Sequence, residues 1–121
     1  MNNEAATAKQ ITYINSMAHI LDLDYDHPDA QRQIKLSAES VYAHNRGCET
    51  RGVEPRFAYG IEIDPTARRS VSKQPFVDAF IEAANADRVA RHAEARELVA
   101  RLDSLTKAEA SHLIDLLNPQ R

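Results

Sequence analysis

Three groups of residues have types and spacings that chemistry could use. His44 and Cys48 lie four apart, the spacing that sets two metal ligands on one helical face. A helix ending at Gly47 would not keep them together, and two ligands do not make a zinc site. Asp22-Leu23-Asp24-Tyr25-Asp26-His27-Pro28-Asp29 alternates carboxylates as the opening of a calcium loop does, with oxygens at positions 1, 3 and 5. Position 6, where a calcium loop turns on glycine, is His27, and position 12, where it needs a bidentate glutamate, is Gln33. The stretch therefore reads as a solvated connector. The third group is basic and aromatic: Arg46, Arg51, Arg56, Arg68, Arg69 and Lys73, interleaved with Phe57 and Tyr59. Guanidinium groups hold phosphates or carboxylates bidentately, and exposed aromatic rings stack on bases or fill hot-spot pockets. Balanced by Glu49, Glu54, Glu62 and Asp64, the same residues also fit an ordinary solvated loop.

A glycine-rich phosphate loop, a paired-cysteine site, a His-Glu-x-x-His helix and a nucleophile elbow are all missing from the sequence. His19, His27, His92 and His112 fall in different segments. We expect no catalytic residue, no metal and no cofactor. The net charge of −3 is unevenly spread. Residues 1–45 carry three Lys/Arg against six Asp/Glu, residues 46–73 six against four, and residues 74–121 six against eight. Only the middle is basic, so nucleic-acid binding would have to rest on a local patch.

These side chains must be positioned by helices. At 121 residues the length prior is one domain, large enough for a core without disulfides or metal. With 43% hydrophobic and 27% charged residues the composition is that of a soluble protein. No apolar run approaches the ~18 residues of a membrane span. The Met1-Asn2-Asn3-Glu4 start lacks a secretion-signal layout, and the single cysteine fits a reducing compartment, so a cytoplasmic location is expected. Few glycines and alanine-rich segments favour helix.

Two capping boxes mark the ends of the chain. Thr7 is followed by Gln10 and Thr106 by Glu109, so each hydroxyl can accept from the third amide while the third side chain reaches back. Ala6 with Ile11, and Leu105 with Ala110, form weak staples. The two short helices are expected to pack on each other and close the domain. The first should run from Ala8 to about Leu21, burying Ile11, Ile14, Met17, Ala18 and Leu21. A second, from Pro28 to about Asn45, carries Ala30, Ile34, Ala38, Val41 and Asn45 on one line, with Gly47 as its left-handed end. From about 48 to 71 the segment is irregular, and Phe57–Ile63 alternates enough for one short strand or an extended arm packed on the helices.

The third helix, opening at Ser72 or Gln74 with Pro75 in its first turn, would reach Leu102 at a length of ~45 Å. Its apolar groups, Val77, Phe80, Ile81 and Ala84, then Ala95, Leu98, Val99 and Leu102, keep phase, but Arg88 and Arg91 sit between them on the same side. Charge on a core face has to be paired or hydrogen-bonded. Three arrangements satisfy this: a break near Asn85-Ala86-Asp87, pairing of the arginines with Asp22, Asp24 and Asp26, or a groove that accepts an anionic partner. The helix's length also predicts a two-fold dimer burying Leu98, Val99 and Leu102.

Read together, Thr7-x-x-Gln10-x-x-Tyr13-Ile14-x-x-Met17 and Leu105-Thr106-x-x-Glu109-Ala110-Ser111-x-Leu113-Ile114-Asp115-x-Leu117 resemble a two-part helical motif. It occurs in small uncharacterised proteins of bacteria, phages and mobile elements, and as an appendage on phage replication and recombination proteins. In those the halves are close in sequence, whereas here residues 22–104 intervene. The resemblance implies a phage-like origin and a helical closing module, with no catalytic residue to carry over.

The expectation is a mostly α, single domain over 1–121: four to five helices with an irregular central loop able to hold one short strand. It would bind a protein partner, as an inhibitor or adaptor acting on a host or defence-system protein. The alternative is a nucleic-acid-binding accessory of phage recombination or replication. Arg51, Arg56, Phe57, Tyr59, Arg68, Arg69, Lys73, Arg88 and Arg91 would carry the contact.

Overall fold

The computed structural model describes residues 4–118. The protein is mostly helical: α1 (Ala8–Met17), α2 (Pro28–Arg51), α3 (Arg69–Val99) and α4 (Lys107–Leu117), with 3-10 turns at Ala18–Asp22 and Leu102–Ser104. Among the described residues the extended pairing is a single antiparallel bridge between Ala5 and Thr106. The chain divides into two compact units. One contains the chain up to Leu23 and from Arg88 onward, and the other is Asp24–Asp87. α3 supplies residues to both.

The first unit is built on the two capping boxes. Thr7 accepts from the Gln10 amide at 3.1 Å while Gln10 Oε1 accepts from the Thr7 amide at 2.9 Å. Thr106 and Glu109 repeat the exchange at 3.1 and 3.0 Å. Each box leaves its preceding residues extended, and the two extended pieces pair: Ala6 N donates to Leu105 O at 3.0 Å and Lys107 N to Glu4 O at 2.7 Å. Gln10 Nε2 adds a bond to Lys107 O at 3.2 Å. The residues that start both helices therefore tie the two ends of the chain together.

Behind this tie, Ile14 of α1, Ala95 and Leu98 of α3, and Ala110, Leu113, Ile114, Leu116 and Leu117 of α4 form one buried cluster with Leu21 and Leu105. Leu105 and Ala110 of the second staple are buried in this cluster and Ala6 of the first packs at its margin, while Ile11 is only half-buried. Tyr13 lies off the stripe, and its hydroxyl accepts from Asn118 Nδ2 at 3.0 Å. α1 ends at Met17 and tightens into the 3-10 turn, where Ser16 Oγ bonds Tyr13 O at 2.6 Å and His19 Nδ1 lies 3.1 Å from Ser16 O. Side chains that engage nearby carbonyls in this way compete with the regular ladder.

In the second unit the connector is a solvated turn: Asp24 Oδ1 accepts from the Asp26 amide at 3.0 Å. The cap of α2 is His27, whose Nδ1 accepts from the Asp29 amide at 3.1 Å, with Pro28 at the first helical position. α2 runs through Gly47 and stops at Gly52. Gly52 takes φ +67°, its amide bonds Glu49 O at 3.2 Å, and the Val53 amide bonds Cys48 O at 3.0 Å. That is the two-bond left-handed ending that glycine permits, and it lies five residues beyond the glycine expected to supply it.

Ala38 and Tyr42 of α2 pack on Phe76, Val77 and Phe80 of α3, with Ala58, Tyr59, Ile61 and Ile63 of the loop against them. Phe57–Ile63 is not a strand. Tyr59 and Gly60 turn the chain with φ +53° and +76°, and the Ile61 amide closes the turn on Ala58 O at 2.9 Å. Packing the loop's apolar side chains on the helices stabilises it without a ladder partner, which an isolated strand would lack.

α3 starts at Arg69, earlier than Ser72 or Gln74, because Asp64–Arg68 forms its own turn. Asp64 Oδ1 accepts from the Thr66 amide at 2.9 Å and from its hydroxyl at 2.7 Å, and the Val71 and Ser72 amides both bond Arg68 O at 3.0 Å. The Thr66 hydroxyl first, and then its amide, hold the Asp64 carboxyl below its ordinary pKa. Pro75 falls inside the helix. The bond it cannot make would go to the carbonyl of Val71, a residue 65% exposed, so water can serve there. The helix is unbroken at Asn85–Asp87.

Candidate functional site

The loop from Val53 to Arg68 is fastened to α2 by side chains acting on backbone. Asn45 grips Arg56 from both sides, its Nδ2 donating to Arg56 O at 2.9 Å and its Oδ1 accepting from Arg56 N at 2.7 Å. His44 Nε2 lies 2.8 Å from Glu54 O, and Arg56 Nη1 donates to Ser40 Oγ at 3.0 Å. Arg51 turns back to His44 O at 2.7 Å. His44 is thus a loop anchor, while Cys48 is buried with its thiol on Asn45 O.

These clamps fix the residue between them and the core. Tyr59 lies edge-on to Phe80 with ring centroids 5.1 Å apart and joins the core margin. Phe57 stands edge-on to Tyr59 at 4.8 Å but is 75% exposed. Of the two aromatic rings expected at the surface, Phe57 is the one presented to solvent, and Tyr59 is its support.

Arg46 is absorbed by the interior. Its guanidinium donates to the Tyr42 hydroxyl at 2.9 Å, to Ser72 Oγ at 3.1 Å and to Ala67 O, and it lies 5.9 Å from the Tyr42 ring centre. Tyr42 OH and Ser72 Oγ also bond each other. Arg68 and Arg69 are exposed side by side where α3 begins. Lys73 pairs with Glu39 at 2.9 Å, and that contact lowers the glutamate's pKa. Arg69, Ser70, Lys73 and Gln74 of α3 face Lys35 and Glu39 of α2 across an open cleft of about 450 Å³. Lys35 was not anticipated, because nothing in the sequence of α2 shows which of its polar residues faces the start of α3.

Arg88 and Arg91 are half-buried in the first unit. Arg91 Nη1 donates to Leu116 O at 3.2 Å, and Arg96 Nη2 to Leu21 O at 2.7 Å. Cations there meet the negative ends of α4 and of the 3-10 turn. Beside them His92 is 3% exposed; burial lowers its pKa, and the charges of Arg91, Arg88 and Arg96 lower it further. Of the three residues expected at a two-fold contact, Leu98 is 7% exposed in the core of its own unit, and Val99 and Leu102 pack half-buried against that core.

A groove of about 390 Å³ in the first unit is lined by Glu94, Glu97, Arg101, Glu109 and His112. Arg101 and Glu109 form an ion pair there, and His112 Nε2 lies 2.6 Å from Glu94 Oε1. The Arg101 guanidinium, followed by the Thr106 amide, holds the Glu109 carboxyl down to about 2. Among the described residues no group of three His, Cys, Asp or Glu side chains is placed to hold a metal ion. Nor is any described helix long and apolar enough to cross a membrane. No family model, curated protein or solved structure matches the chain.

Proposed function

We propose that this chain is a non-enzymatic binding protein of phage or mobile-element type, acting in the cytoplasm on a host or defence-system protein as an inhibitor or adaptor. The observation that carries this reading is Phe57: a phenylalanine 75% exposed on a loop whose backbone is clamped at Glu54 and Arg56. The residue stays 75% exposed despite its edge-on contact with Tyr59, and that exposure costs solvation. Rigid presentation reduces the ordering cost of binding, and a buried aromatic anchor is what dominates interface energetics. Arg51 and Arg56, exposed on the same stretch of chain, keep guanidinium donors beyond the bonds they make to His44 O and Ser40 Oγ. The matching surface is an apolar pocket with carboxylates at its rim.

The test is comparative capture from the host's extract by the unaltered chain and by Phe57→Ala. Truncation should leave folding stability within ~0.5 kcal/mol, as for exposed sites, and weaken the captured partner's affinity by roughly thirtyfold or more, as for a hot spot of about 2 kcal/mol. Equal capture by both forms refutes the assignment. Nucleic-acid binding is the second reading, favoured by the exposed Arg68-Arg69 pair. It predicts DNA affinity that falls steeply with salt and drops in Arg68→Ala with Arg69→Ala; no binding at low salt removes it.

A further inference from the structure

The cleft between α2 and α3 has a charge composition that the protein-binding reading does not use. Its three cations, Lys35, Arg69 and Lys73, face one carboxylate, Glu39. Lys73 is held by that carboxylate at 2.9 Å, while Lys35 and Arg69 make no ion pair among the described residues. Arg69, Lys73 and Val77 follow one another at four-residue spacing along α3, as Lys35 and Glu39 do along α2, so each set shares a helical face. Ser70 adds a hydroxyl to the lining, whereas the Gln74 amide is turned to Asp78 Oδ1 at 2.8 Å. The lining thus carries two charges in excess. A volume of about 450 Å³ exceeds what a bare ion needs and lies within the ~300–1,000 Å³ of small-molecule sites.

The geometry points to a binding site for a phosphate monoester dianion, held by Arg69 and Lys35 with Lys73 behind them and the Ser70 hydroxyl as a neutral donor. Arg69 supplies the forked geometry that phosphate oxygens accept bidentately, and Lys35 a point charge from the facing helix. Glu39 repels the ligand and ties up Lys73. It therefore limits affinity, and its removal should raise it.

A free ester and the terminal phosphate of an oligonucleotide offer the same dianion. The probes are inorganic phosphate and AMP for the first, and a short single strand with and without its terminal phosphate for the second. Each is titrated into the full chain by calorimetry and by amide chemical shifts. Shifts should centre on Lys35, Arg69, Ser70 and Lys73. Affinity should fall at least about tenfold in Lys35→Gln with Arg69→Gln, since two charge-assisted contacts are lost, and should rise in Glu39→Gln. It should also fall as pH drops through about 6, where the ester regains its second proton; Glu39, whose pKa is depressed, titrates well below that. The proposal is overturned by absent binding at millimolar probe, by affinity unchanged in the double variant, or by lower affinity in Glu39→Gln. Strand binding that ignores the terminal phosphate while AMP does not bind also overturns it.

Discussion

Replacing Leu113 by alanine tests the first unit's core most directly. Leu113 is 0% exposed and lies in one cluster with Ile14, Ala95, Leu98 and Ala110. Large-to-small changes at such sites cost about 3 to 5 kcal/mol, the spread reflecting how far the surroundings can close over the cavity. Here closure is restricted. α1 and α4 are fixed at their starts by the Ala6 to Leu105 and Lys107 to Glu4 bonds, and two of the neighbours, Ala95 and Ala110, are alanines with no longer side chain to swing inward. A loss of about 4 kcal/mol is expected, a large share of the ~6–18 kcal/mol that ~0.05–0.15 kcal/mol per residue gives for a chain of 121 residues. At an unfolding entropy of about 2.1 cal/mol/K per residue, the melting temperature should drop by about 16 °C. Circular dichroism melts and urea titrations of Leu113→Ala measure it, with Leu36→Ala, at a position 52% exposed, as the control expected to stay within ~0.5 kcal/mol. A loss below about 1 kcal/mol, or an equal loss in the control, would show that this cluster is not the core.

Three further outcomes follow from the same geometry. Thr7→Ala and Thr106→Ala should each cost about 1 kcal/mol by denaturant titration, and a neutral result at both would mean the boxes do not hold the ends. Glu109 has its pKa lowered from 4.5 to about 2, so its contribution is complete above 4.5 and lost as pH falls toward 2. Glu109→Gln should flatten stability over that window and lower it at neutral pH, and an unaltered acid limb would contradict the Arg101 contact. Tyr42→Phe removes the hydroxyl that meets Arg46 and Ser72, leaving a half-satisfied group inside, and should cost about 1 to 3 kcal/mol; a stabilised variant would rule out that network.

Local signals were the legible ones. A capping box is written in four consecutive residues, so Thr7–Gln10 and Thr106–Glu109 announced both short helices, whereas the backbone bridge between their extended flanks was not written there. The mostly helical fold was legible for the same reason. What escaped depended on partners distant in sequence. Gly47 and Gly52 look alike as punctuation, but only Gly52 of the two adopts the left-handed conformation, and the clamps that follow it, Asn45 on Arg56 and His44 on Glu54, reach ten to eleven residues back. The start of α3 depended on the Asp64 turn, which displaced it to Arg69 and thereby brought Arg69 to the cleft with Lys35. Of the two aromatic candidates, nothing in the local sequence separates Phe57, which is exposed, from Tyr59, which Phe80 covers.

The arginines in the middle of α3 show how a charge on an apolar face can serve the fold. A helix leaves its last carbonyls without intrahelical donors, and burying such an end without partners is costly. Arg91 reaches Leu116 O near the end of α4, and Arg96 reaches Leu21 O near the end of the 3-10 turn, so each brings a donor and a positive charge to a terminus that needs both. His92 between them is buried and kept neutral by burial and by these same cations. Its depressed pKa carries a sign: stability holds above the ordinary value of 6.5 and declines as pH falls below it, because the unfolded chain then takes up a proton that the folded one resists. His92→Phe should remove that decline. Persistence of the decline in His92→Phe would mean that another group causes it, and that the buried imidazole does not resist protonation as its surroundings require.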